Sequence, residues 1–580
     1  MRLLTAIVFC TSLLRAADTG SALTPPMGWC SWNDFHGNID ETIVRQITDA
    51  VVASGMKDAG YTYIVVDDPW AAGRDAAGNI FPDPARFPSG MKALASYVHQ
   101  AGLKFGIYTS LGAMTCSNAP GSLGFEQQDA SQYAAWGVDY VKYDDCYGNG
   151  LDIVMLCKKM RDAIVGAGRP MVFSLVVGGT PAPWLWARGV GQLWRTDGDI
   201  QASWASITKI IAAYSSDGRA AFAGPNGWND PDMLEVGMPV FSDGENRAHF
   251  CLWAIFAAPL HAGNDLRSMT EATRLLLTNA EVIAVDQDQA GFQGVLVNQT
   301  PDTGVWTKTL TDGSKAVVLL NRGDAAADIS ISNGDLGLAG SLNVRDLLNH
   351  SDTPALNGTM TVSVSSHDVS MFRISAAFAP PLSIVSAFGY DGANVRVLFS
   401  RAVTRASAES ASNYLLDNGA SITGAALTDD ARTVVLSTSG LNAKVNYTLM
   451  AAGVSAWAFA AAPAESLAST SIRVQMVPAA KKLNVRNAIK NRVAVLSLPN
   501  KKISEITFTA NSFSDWNSFA GTQLEISRNG KTWTSVYSFT RVPLFDQATR
   551  LDFLPPFTAH FLRIVPPGPL SLQDLQIFGN

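Results

Sequence analysis

Charged residues, cysteines and long apolar runs are all scarce in this chain. Only 16% of its 580 residues are charged, and 43 Lys and Arg against 50 Asp and Glu leave a net charge of -7. Gripping a phosphate backbone requires clustered cations, and none are found, so nucleic acid is excluded as a partner and a neutral substrate is favoured. Six cysteines with no Cys-x-x-Cys and no histidine cluster make neither a disulfide-built scaffold nor a metal site, and no cofactor is expected. A membrane span is also missing, because no stretch reaches the ~20 apolar residues that a spanning helix needs. The run from Leu3 to Leu14 falls short of it; with Arg2 before it and the small Ala16 and Ala17 after it, residues 1–17 read as a signal peptide. The mature protein is then secreted or periplasmic. Cys10 leaves with that leader, and Cys30, Cys116, Cys146, Cys157 and Cys251 remain, enough for at most two bridges, of which one is expected.

What is present is length and pattern. A chain this long exceeds one hydrophobic core, and ordinary domain sizes of ~100–200 residues predict roughly three to four domains. Between Leu23 and Asp288 eight short apolar runs recur, each ending in polar residues: PMGWCSW, YTYIVVDD, KFGIYTS, VDYVKYDD, MVFSLVV, QLWRTDGD, GWNDPDM and APLHAGND. Helix-like segments separate them, such as ASYVHQAGLKFG with Gly102 placed to end the helix. Eight alternations over ~250 residues predict a (β/α)8 TIM barrel across 23–290. From Gln287 the pattern changes to strict alternation and predicts an antiparallel β-domain over 291–376. An Ala-Pro-rich linker at 376–383 follows, then an immunoglobulin-like sandwich over 384–472. The last unit, 474–580, has a hairpin signal at Asn529-Gly530 and faintly resembles a discoidin-type sandwich, a fold suited to carbohydrate binding.

The polar strand ends carry the functional signal, because a barrel of this type places its active site at the C-terminal ends of its strands. Asp67, Asp68, Tyr108, Lys142, Asp144, Asp145, Arg195, Asp199, Asp230 and Asp232 all fall there. A single aspartate in such a position is usually a turn or cap residue. Five such ends around one mouth, four of them bearing acids, are different, since crowded carboxylates repel and the cost is tolerated where function requires it. Two facing carboxyl groups are also what glycosidic hydrolysis needs.

The ordered stretches TPPMGWCSWNDF, DAGYTYIVVDD, DPARFPSGMKALASYVHQAGLKFGIYTS, WGVDYVKYDDCY, LWRTDGDI, GWNDPDMLEVG and LWAIFAAPLHAGNDLR closely resemble glycoside hydrolase family 27, the α-galactosidases and α-N-acetylgalactosaminidases. The resemblance implies a retaining exo-glycosidase acting on a carbohydrate, with Asp144 as nucleophile and Asp199 as general acid/base, about 5–5.5 Å apart. It also implies that Lys142 lies beside Asp144 and keeps it ionised, that Arg195 meets the sugar O2, and that Asp67 and Asp68 grip O4 and O6. Trp32 would stack on the sugar, with Tyr108 and Asp232 completing the wall. Cys116 and Cys146 match a family disulfide.

Three departures bear on the sugar. A second family disulfide is replaced by Gly37 and Pro69. The fifth strand continues Val176-Val177-Gly178-Gly179 where α-galactosidases have bulky and polar groups on the C2 side. Thr109-Ser110 stands where an acid usually follows Tyr108. These leave α-N-acetylgalactosaminidase as the near alternative and β-L-arabinopyranosidase as a remoter one. A non-catalytic carbohydrate-binding protein on a retired barrel is an alternative of another class, disfavoured by the intact Asp144, Asp199, Lys142 and Arg195.

Overall fold

The computed structural model describes residues 22–476 except 180–181, 216–217, 377–381, 391–392, 429–430, 443–444 and 457–465. Beyond these it describes residue 532 and the segments 481–482, 494–510, 523–527, 534–538, 548–565 and 572–579. The leader at 1–17, most of the 376–383 linker and the Asn529-Gly530 turn lie outside the described residues.

All eight expected runs form strands of one parallel sheet: β1 (Met27–Cys30), β2 (Tyr63–Val66), β3 (Lys104–Ser110), β4 (Tyr140–Asp144), β5 (Val172–Val176), β6 (Leu193–Arg195), β7 (Trp228–Asp230) and β8 (Leu260–Ala262). β1 to β7 pair in chain order and β8 pairs with β1. Just past β7, Leu234 bridges to Ala262 of β8, which brings the last two strands together. A barrel interior is filled in layers by alternate strands. Here Tyr63, Tyr140 and His261 of β2, β4 and β8 meet inside it at centroid distances of 5.3–6.4 Å. Glycines on the odd strands make room: a Cβ on Gly28 would lie 2.4 Å from the Tyr63 carbonyl oxygen, and one on Gly106 would lie 3.1 Å from the Tyr140 Cβ. This packed layer is the floor of the mouth above it.

The outer helices follow from apolar spacing and caps. In α1 (Glu41–Ala53) Val44, Ile47, Thr48 and Val51 are buried and Asp40 caps the first turn through the Ile43 N–H. In α2 (Gly90–Gln100) the buried set is Met91, Leu94, Ala95 and Val98, and Gly102 follows at φ 72°, as its sequence position predicts. The next helices are α3 (Glu126–Trp136), α4 (Ile153–Gly166), α5 (Trp204–Tyr214) and α6 (Asp243–Ile255), with α7 (Glu271–Leu277) and α8 (Ala280–Asp286) closing the domain. Buried on every side from Ala248 to Ile255, α6 is wedged between the barrel and the following β-domain. Among the described residues the crossover from β5 to β6 has no α-helix, only a 3-10 turn at Pro183–Leu185.

The next unit is a six-stranded antiparallel sheet, beginning at Val295 and ending at Ala376, faced by a two-stranded one. Val317, Leu319, Ile329, Ile331, Phe372 and Ile374 share its core. A seven-stranded sheet follows, antiparallel except where Ile384–Tyr390 pairs with Thr470–Met476. The last unit is a six-stranded antiparallel sheet built on the long strands Ala494–Ala510 and Ala548–Val565. Among the described residues no helix is long and apolar enough to cross a membrane.

Candidate active site

The strand ends converge on one cavity of about 270 Å³ lined by Trp32, Asp67, Asp68, Tyr108, Cys116, Lys142, Asp144, Val176, Arg195, Asp199 and Asp232, among others. Every residue expected from sequence to catalyse or bind is in that lining. Asp144 and Asp199 therefore line the same cavity.

Asp67 and Asp68 follow β2 and are 1% and 2% exposed. Lys142, on β4 two strands away, reaches Asp67 Oδ2 with its Nζ at 2.6 Å, and the Cys30 thiol donates to the same oxygen at 3.0 Å. Asp68 accepts the Ser117 N–H at 2.7 Å, and burial raises its pKa against that bond. The ion pair of Lys142 is thus with Asp67 and not, as its place on the strand suggested, with Asp144. Alternate barrel strands share a layer, so β2 and β4 side chains meet across β3. Burial opposes the ammonium charge of Lys142, but Asp67, Cys30, Asp144 and Asp232 together outweigh it and hold the group protonated.

Asp144 ends β4. Its Oδ2 accepts from the Tyr108 hydroxyl at 2.8 Å and its Oδ1 from the Asp145 N–H at 2.8 Å. Burial nevertheless pushes it up to about 6, against the pull of Lys142 and these bonds. A nucleophilic carboxylate must be ionised, so kcat/KM should fall about tenfold per pH unit on the acid side of about pH 6. A kcat/KM that stays level from pH 6 down to about pH 4 would contradict this.

Arg195 ends β6, 2% exposed, and its Nη2 lies 3.0 Å from Asp199 and 2.9 Å from Asp232. The Asp199 side chain is 75% exposed, which leaves it open to the leaving group. Asp232, at φ 88°, also accepts the Ile200 N–H at 2.9 Å and so anchors the loop that carries Asp199. Beneath them burial pushes Asp230 up to about 6, with Arg195 opposing and Asp232 adding to the rise. Trp32, half-buried, meets His36 edge to face at 5.5 Å.

Cys116 and Cys146 form a disulfide with Cα atoms 5.2 Å apart, and Cys30, Cys157 and Cys251 are buried free thiols. Where the second bridge of the family would stand, a Cβ on Gly37 would lie 3.5 Å from Pro69 Cδ, so the two positions remain neighbours held by packing. Thr109 and Ser110 are turned away from the cavity. Thr109 bonds Ser122 at 2.8 Å, while the Ser110 hydroxyl donates to the carbonyls of Asp144 and Cys146 at 3.2 and 2.9 Å, pinning the backbone of the nucleophile strand. Val176 faces the cavity, and the chain beyond it turns at Gly178 and Gly179, where a Cβ on Gly179 would meet the Thr196 carbonyl oxygen at 2.3 Å. Asn33, His36, Gln201 and Glu235 also line the cavity and were not singled out from sequence. The available signal was adjacency: Asn33 follows Trp32, Gln201 lies two residues after Asp199, and Glu235 three after Asp232.

A (β/α)8 barrel whose mouth gathers several acids around one pocket is the arrangement of a glycosidase, and the comparisons with known proteins agree. The family model described as alpha galactosidase A matches residues 24–288, and that of the alpha galactosidase C-terminal beta sandwich domain matches 300–374. The chain belongs to the α-galactosidase family, glycoside hydrolase family 27. It is 46% identical over 363 residues to an α-galactosidase of Cyamopsis tetragonoloba, covering 62% of this chain and 88% of that protein. To α-galactosidase A of Cellvibrio japonicus it is 49% identical over 316 residues, covering 53% and 78%. The crystal structure of α-galactosidase I from Mortierella vinacea superposes with a TM-score of 0.60 at 32% identity, covering 63% of this chain and 100% of that one.

Proposed function

We propose that the enzyme releases terminal α-linked galactose from oligo- or polysaccharides by double displacement. In this reading an Asp144 oxygen attacks C1 while Asp199 gives its proton to the departing glycosidic oxygen, leaving a galactosyl ester on Asp144. Asp199 then takes a proton from water, the water oxygen bonds to C1, and the ester breaks to return Asp144 with net retention. Tyr108 holds the attacking carboxylate in place. Arg195, joined to both Asp199 and Asp232, holds the acid/base and faces O2.

The observation that carries the reading is the buried Asp67–Asp68 pair with Lys142 on its inner oxygen. Galactose differs from glucose at O4, and buried acceptors left unpaired by the wrong epimer penalise it. The α-N-acetylgalactosaminidase reading keeps one specific support, the small Val176-to-Gly179 edge. A panel of nitrophenyl α-galactoside, its N-acetylamino analogue and nitrophenyl β-L-arabinopyranoside tests the choice. The α-galactoside is expected to lead in kcat/KM by tenfold or more, and an equal lead by the N-acetylated substrate would replace the assignment. The leader-like N-terminus and the disulfide fit export, and the unit over 474–580 is read as a carbohydrate-binding accessory.

A further inference from the structure

The cavity has a leaving-group side that the proposed chemistry does not use. Asp199 opens onto it, and Ile200, Gln201 and Ala202 continue that wall. The same lining includes Asn33 and His36 of the turn after β1. Glu235, 3% exposed overall, lines the cavity as well. Its Oε1 accepts from Asn33 Nδ2 at 2.5 Å, and its Oε2 is buried without a hydrogen-bond partner. A buried carboxylate oxygen left unpaired is costly, and such an atom in a pocket wall marks a place for a ligand donor.

We propose that Glu235, held by Asn33, grips a hydroxyl of the first sugar of the leaving group, so that the enzyme is built for saccharide rather than aryl or lipid leaving groups. The inference rests on the α-galactoside reading above and names the substrate class of that site. The galactosyl unit already has Asp67, Asp68, Lys142 and Arg195 for its own hydroxyls. Glu235 is bound instead to Asn33 and shares the cavity with the loop carrying the acid that protonates the leaving oxygen. Burial and the nearby Asp232 and Asp34 push Glu235 up to about 7, with Asn33 opposing. Near neutrality the group therefore both accepts and donates, which suits a sugar hydroxyl.

The test compares melibiose, whose leaving group is glucose, with nitrophenyl α-galactoside in the wild type, Glu235→Met and Glu235→Gln. Methionine keeps the volume and removes the polar oxygens; glutamine restores a polar atom toward the cavity. The ratio of kcat/KM for melibiose to that for the nitrophenyl substrate should fall tenfold or more in Glu235→Met, mostly through KM, and return to within about threefold of wild type in Glu235→Gln. Thermal unfolding of each variant reports whether it is folded. A ratio unchanged in Glu235→Met, with both substrates slowed equally or neither slowed, would overturn the inference while leaving the galactosidase reading intact. A wild type that cleaves neither substrate would remove both.

Discussion

Asp144→Asn should lose on the order of 10⁴-fold or more in kcat on every α-galactoside while still binding galactose, because the variant keeps the cavity and removes the atom that forms the bond to C1. The same variant should also be more stable than wild type. Burial raises the Asp144 pKa from 3.8 to about 6, so in that window the folded chain binds more protons than the unfolded one. Stability supplied by the protonated acid is present at low pH and is lost as pH rises toward 6. At neutral pH the ionised group costs roughly 1–3 kcal/mol, which a neutral amide of the same shape does not. Melting at pH 7.5 should therefore rise in Asp144→Asn, and the gain should shrink below pH 5. A variant that retains turnover, or melts lower than wild type at pH 7.5, would contradict the reading of this carboxylate as a group held charged against its burial.

Asp199→Asn should lose about 10²–10⁴-fold on melibiose, the range that general acid catalysis contributes. The loss should depend on the leaving group. A dinitrophenolate departs without a proton, so the glycosylation step on dinitrophenyl α-galactoside should be slowed far less, and a burst of phenolate should appear as the galactosyl ester builds up ahead of its unassisted hydrolysis. The exposed position of Asp199, hydrogen-bonded to Arg195, fits a group that serves the departing oxygen and then the entering water. Equal losses on both substrates would assign Asp199 to holding Arg195 instead.

The barrel was legible because its strands are buried on both faces, so that Tyr63–Val66 reads as an unbroken apolar run leading into acids and Tyr140–Asp144 as one broken only by Lys142. Turn chemistry at Gly102 was an equally local signal. The β5-to-β6 crossover was less legible, since GGTPAPWLW carries Gly and Pro where the barrel pattern leads one to expect a helix. The site residues followed from motif positions, but their partnerships did not. That Lys142 meets Asp67 depends on the stacking of alternate strands, and that Asp144 is pushed up to about 6 depends on how much of the protein closes over it. Neither is written in the spacing of Lys142 and Asp144. Glu235 was passed over for the same reason: three residues after Asp232 it reads as an ordinary loop acid, and its bond to Asn33, about two hundred residues earlier in the chain, is visible only in the fold.

The central claim is a covalent bond between Asp144 and galactose, and a trapped intermediate tests it most directly. The enzyme would be inactivated with 5-fluoro-α-galactosyl fluoride, which forms the ester faster than it lets water break it, and digested for peptide mass spectrometry. One fluorogalactosyl adduct is expected, on the peptide containing Lys142, Tyr143 and Asp144, with fragment ions placing it at Asp144. An adduct on Asp199 or Asp68, or complete turnover with release of the inverted anomer and no adduct, would contradict it.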